Sequence, residues 1–117
     1  AEYPEKLRQN IITKNRKLLS GVLPSYDMQI KKAAQRNDLV SVHHRITEFL
    51  ASYFDIIFAL NRLTHPGEKR LVSLCKKHCS ILPENFEENI NALLASVTKG
   101  NSYDIICDMV AEIDKII

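Results

Sequence analysis

Between Asn61 and Arg70 the chain reads Asn-Arg-Leu-Thr-His-Pro-Gly-Glu-Lys-Arg, a polar connector set between two apolar runs. Arg62, Lys69 and Arg70 supply guanidinium and ammonium groups, His65 an imidazole and Asn61 a carboxamide. Cations beside the free backbone amides of a helix start are the usual means of holding a phosphate or another anion. Part of the connector has a purely structural account. With Thr64 or His65 as the cap, Pro66 takes the first or second helical position, and Glu68 falls in the first turn, where its charge suits the helix dipole. Pro66, Gly67 and Glu68 then form a structural turn. Arg62, Lys69 and Arg70 stay unexplained, because a cation near a helix start is unfavourable unless an anion offsets it. That anion comes either from outside or from Glu68 itself, paired with Arg62 or Arg70. Asn61 ends an aromatic edge that runs through Phe54 and Phe58, and its amide must bond the following turn or reach a ligand.

Other clusters have less chemistry in them. Cys75, His78 and Cys79 stand within one helical turn, but zinc takes four ligands and the remaining thiol, Cys107, belongs to a different segment. Small apolar core cysteines are the better reading. His43 and His44 have no carboxylate or thiol at ligand spacing on the same face, and one of the two is expected in solvent. Gly21, Gly67 and Gly100 are isolated, so there is no glycine-rich phosphate loop, and no thiol is paired with a base for nucleophilic attack. The chain therefore offers no catalytic residue, no metal site and no cofactor site of its own. Glu48, Ser52, Asp55, Ala59 and Arg62 recur at steps of three and four, a polar strip that is either a solvated face or a wall turned toward a cleft or another domain.

These residues must be positioned by helices. The 117 residues suffice for one domain, and hydrophobic residues at 45% with charged residues at 26% fit a folded globular chain rather than a disordered one. Apolar positions recur with helical period, and strand-like alternation is lacking. Pro4 opens a first helix to about Lys14, with a looser continuation through Leu18 and Leu19 to Gly21. Leu23-Pro24-Ser25 starts a second, which ends near Arg36 and Asn37. Asp38 caps the longest helix, apolar on two sides and so central, which Pro66-Gly67 ends. Glu68 to Cys79 forms a shorter helix, with Leu71, Leu74, Cys75 and His78 on one face. Phe86 to Val97 gives another, stopped at Lys99-Gly100, and Asn101 or Ser102 restarts the chain for the last. The expected architecture is an all-α, up-and-down antiparallel bundle of five to six helices, one domain over residues 1–117.

A formal charge of +2 predicts neither a nucleic-acid coat nor a membrane-surface binder, so nucleic acid is not an expected partner and any anion site must be local. No stretch is long enough to cross a bilayer. Three cysteines, an odd number, fit a reducing compartment, and a cytoplasmic protein is expected. The start at Ala1 suggests a piece excised from a longer chain.

The runs YFDIIFALNRLTHPGEKRL (53–71), LPENFEENINALL (82–94) and YPEKLRQNII (3–12) together resemble the helical C-terminal domain of a bacterial family of uncharacterised nucleotidyltransferases, related to the kanamycin and lincosamide nucleotidyltransferases. The Phe-Ala-Leu-Asn-Arg and His-Pro-Gly-Glu-Lys-Arg pieces are the most specific part, whereas residues 14–45 fit only loosely. The resemblance implies an N-terminal α/β domain in the same parent chain, where a Gly-Ser signature and paired aspartates hold Mg2+ and act on a nucleoside triphosphate. Neither motif occurs here. The helical domain would then bind substrate, with Arg62, Lys69 and Arg70 toward the triphosphate or an acidic acceptor and Asn61 and His65 orienting. The alternative is a non-catalytic protein-interaction or dimerisation bundle, akin to the HEPN-type partners of minimal nucleotidyltransferases. Their ribonuclease spacing of Arg and His is not met by Arg62 and His65.

Overall fold

In a computed structural model that describes residues 3–21 and 24–117, six α-helices account for all the regular structure among the described residues. They are α1 (Glu5–Leu19), α2 (Tyr26–Gln35), α3 (Leu39–Leu60), α4 (Leu71–His78), α5 (Phe86–Ala95) and α6 (Ser102–Asp114). The expected all-α bundle is present. No described helix is long and apolar enough to cross a membrane.

The long α3 is the axis, because its apolar residues occupy more than one side. Val42, Ile46, Phe49, Tyr53, Ile56, Ile57, Phe58 and Leu60 are all buried. Helices α1 and α2 each pack along it and barely meet one another, while α6 is sandwiched between α2 and α5. Phe86, the first residue of α5, stacks on Tyr53 at 6.4 Å between ring centroids and meets Phe54 edge-on at 6.1 Å. Each such side chain withdrawn from water stabilises the fold by about 1.5–3 kcal/mol. Helix α1 runs antiparallel to α3: Arg8 near its start donates to the Leu60 carbonyl at the end of α3. Its other end is tied to α6, where the Arg16 guanidinium grips both oxygens of Asp114 at 2.6 and 2.9 Å.

Helix ends depart from the sequence expectations in instructive ways. Pro4 is extended (φ −64°, ψ 129°) and precedes α1 rather than opening it, and α1 continues unbroken to Leu19. Helix α2 starts after Ser25; of the start expected at Leu23, that residue lies outside the described ones. Asp38 caps α3 as expected, its carboxylate accepting from the Ser41 amide at 3.2 Å. That bond, reinforced by Arg36, holds the Asp38 carboxyl below its ordinary range.

At its other end α3 stops at Leu60, well before the Pro66-Gly67 break the sequence suggests. Arg62 enters the left-handed region at φ 56°. The Leu63 amide then donates to the Phe58 carbonyl (2.9 Å) and the Arg62 amide to that of Ala59 (3.1 Å). This is the Schellman closure usually made with glycine, here made with arginine. Helix α4 begins at Leu71, not Glu68, after Arg70 has also taken a left-handed conformation (φ 57°). Pro66 is therefore not a first-turn residue, and Glu68 does not cap a helix dipole. Likewise α5 ends at Ala95, and residues 97–100 form a turn whose Lys99 and Gly100 amides both return to the Ser96 carbonyl at 3.0 Å. Buried Ser96 and Ser102 then join hydroxyl to hydroxyl across that turn.

Candidate functional site

Residues 61–70 turn the corner between α3 and α4 without regular structure, and two polar side chains fix their path. Asn61 is the first. Its Nδ2 donates to the carbonyls of Ile57 and Ile81, each at 2.8 Å, while its Oδ1 accepts from the Ile81 amide at 2.8 Å. The amide thus pairs with a backbone segment 20 residues further on, as a neighbouring strand would. The sequence left Asn61 to bond the following turn or a ligand; it bonds instead the α3 backbone at Ile57 and the segment after α4 at Ile81.

His65 is the second. Its Nδ1 accepts from the Gly67 amide at 3.1 Å, which requires the ring proton to sit on Nε2. Nε2 lies 3.8 Å from Oδ1 of Asp55, and the ring meets Phe58 edge-on at 5.2 Å. The imidazole folds the corner back onto α3.

The three cations go different ways. Arg62 points toward the start of α1, 3.3 Å from a Glu5 oxygen, with both side chains about half exposed (54% and 50%). Arg8 takes the other Glu5 oxygen at 3.1 Å. Glu68 makes no ion pair with Arg62 or Arg70, so the internal pairing weighed from the sequence is not found. Lys69 and Arg70 are exposed, and neither has a carboxylate within ion-pair distance among the described residues. They stand immediately before α4, whose opening amides lack intrahelical acceptors and have no capping side chain. The structure therefore leaves Lys69 and Arg70 exposed beside the start of α4 and turns Arg62 away toward Glu5.

Spacing alone did not reveal the cleft beside this corner. A groove of about 320 Å³ runs between α1 and α3, with Lys14 and Asn15 on one wall and Asp55 and His65 on the other. Its floor is apolar, formed by Ile11, Phe58, Ala59 and Leu63. The polar strip of α3 consequently divides. Glu48 pairs with Arg45 on the surface, Ser52 and Ala59 are buried, and Asp55 faces the groove. On the far side of the Asp55 and His65 pair a second cleft of about 430 Å³ is lined by Leu50, Ala51, Phe54 and Leu71. The signal that could have exposed the groove was Asn15, a carboxamide in step with Ile11, Ile12 and Leu19 on the inward stripe of α1.

Among the described residues no three His, Cys, Asp or Glu side chains converge as metal ligands. Cys75 and Cys79 are buried within the core, with burial pushing the Cys75 thiol up to about 12, whereas Cys107 is exposed. His78 is exposed, so it does not share the buried face of Cys75, and His43 and His44 are both exposed. No protein-family model, curated protein or solved structure matches the chain.

Proposed function

We propose that this chain is the accessory, substrate-binding helical domain of a nucleotidyltransferase, binding the charged end of a nucleoside triphosphate or an acidic acceptor and performing no chemistry alone. The observation that carries the reading is the pair Lys69 and Arg70: two exposed cations without a carboxylate partner among the described residues, placed where the first amides of α4 are free. Phosphate oxygens are acceptors for both kinds of donor, and their charge offsets the repulsion between cations and a helix start. Arg62 joins this set only by exchanging Glu5 for a ligand. Asn61 and His65 act as struts that hold the corner. Mg2+ and the nucleotidyl-transferring carboxylates would belong to an N-terminal domain of the parent chain, the expected partner.

Titration of the 15N-labelled protein with inorganic triphosphate tests this. The amides of Leu71, Val72 and Ser73 are expected to shift saturably, with affinity falling at least tenfold in the Lys69→Ala/Arg70→Ala double variant. Shifts spread evenly over all lysines and arginines, or an unchanged affinity in the variant, would overturn the phosphate role and leave the bundle as an interaction or dimerisation module.

A further inference from the structure

The groove between α1 and α3 carries polar groups other than the cations of the corner and shares only His65 with the corner itself. Asn15 is only 8% exposed, and its Nδ2 is committed to the Ile11 carbonyl at 2.9 Å. Because that partner is a carbonyl, the amide orientation is fixed, and Oδ1 has no donor among the described residues. That oxygen is not shut away from solvent, and on the groove wall it is open to accept from a bound ligand.

Opposite charges line the same groove without joining: Lys14 and Asp55 form no ion pair within 4.0 Å, and the nearest cationic-type atom to Asp55 is the His65 Nε2 at 3.8 Å. With Nδ1 engaged by Gly67, His65 presents Nε2–H as a donor on that wall. Besides the uncharged polar groups of Tyr3 and Asn10, the groove has the Asp55 carboxylate and the Asn15 carbonyl as acceptors and the Lys14 ammonium and the His65 ring N–H as donors, above the apolar surface of Ile11, Phe58 and Leu63. The formal charges of Lys14 and Asp55 cancel. A matching ligand is net neutral, with an ammonium for the acceptors, a carboxylate for the donors and an apolar body.

We propose that this groove binds a free α-amino acid with an apolar side chain, its ammonium on Asp55 and Asn15 and its carboxylate on Lys14 and His65. This site is separate from the proposed phosphate contacts, since neither Lys69 nor Arg70 lines it.

The test is a titration of the 15N-labelled protein with L-leucine, L-methionine and L-phenylalanine in turn. At least one is expected to shift the amides of residues 10–15, 55–59 and 63–65 saturably, leaving those of 71–73 in place. The corresponding amine without a carboxylate and the acid without an ammonium should each bind at least tenfold more weakly. Asp55→Asn and Lys14→Met should each weaken the amino acid at least tenfold while keeping a native, dispersed spectrum. Should either variant unfold, the wild-type comparison of whole and half ligands decides alone. Absence of saturable groove shifts with all three amino acids overturns the proposal, as does an amine that binds as tightly as its amino acid.

Discussion

A thiol's chemistry follows its surroundings more than its position in the sequence. Cys75 and Cys79 are one helical turn apart and buried, and burial raises both thiols above their ordinary range. Thiolate is the reactive species, so both burial and the raised pKa suppress attack. In native protein at pH 8, one equivalent of a thiol reagent should be taken up, at exposed Cys107, and three after unfolding in urea. Mass spectrometry of the labelled protein reads this directly, and fast native labelling of Cys75 or Cys79 would contradict the packed position of α4. At the same scale, the amide of Asn61 was legible as a group needing partners, but its partner, Ile81, was not. Nothing local connects residues 20 apart.

Helices in this chain begin and end where backbone closure allows, and four non-glycine residues show how. Asn37 and Arg62 occupy the left-handed position after α2 and α3, and Arg70 and Asn85 the ones before α4 and α5, with φ between 55° and 59°. Asparagine is a familiar occupant of such a position, whereas arginine is not. The sequence rule that glycine and proline punctuate helices therefore put the α3 break at Pro66-Gly67, several residues late. A left-handed conformation costs an ordinary L residue about 1–2 kcal/mol, while the exposed Arg62 to Glu5 pair contributes at most about 1 kcal/mol. Arg62→Gly is accordingly expected to keep or slightly raise stability in urea unfolding, within about 1 kcal/mol, and Arg62→Val to lower it by more than about 1 kcal/mol, because branching at Cβ worsens the strain. Equal losses in both variants would show that the guanidinium, and not the backbone, closes this helix.

The whole molecule is elongated, 48 × 28 × 24 Å, with α3 along its middle and α4 joined to the rest by irregular segments on both sides. Asn61 holds one of those segments. Two of its three bonds secure the stretch after α4 to the end of α3, so Asn61→Ala leaves the Ile81 amide and carbonyl without that partner. A loss of about 1–3 kcal/mol in urea unfolding is expected. Hydrogen exchange should also quicken around residues 79–83 more than in α1. A uniform change, or none, would mean that packing by Leu82 and buried Pro83 holds the segment without the amide.

Periodicity was enough to determine helices, to narrow their number to five or six and to place α3 at the centre, because burial of an apolar stripe is written into every third or fourth residue. The types of side chain at the corner were equally plain, and so was the need of Asn61 for partners. Tertiary structure alone decided where those groups go: Arg62 toward Glu5, Lys69 and Arg70 outward, and Asp55 with His65 onto the groove facing Lys14 and Asn15. These outcomes depend on antiparallel docking of α1 against α3 and on two left-handed residues. Both arise from contacts and closures between positions that no local pattern links.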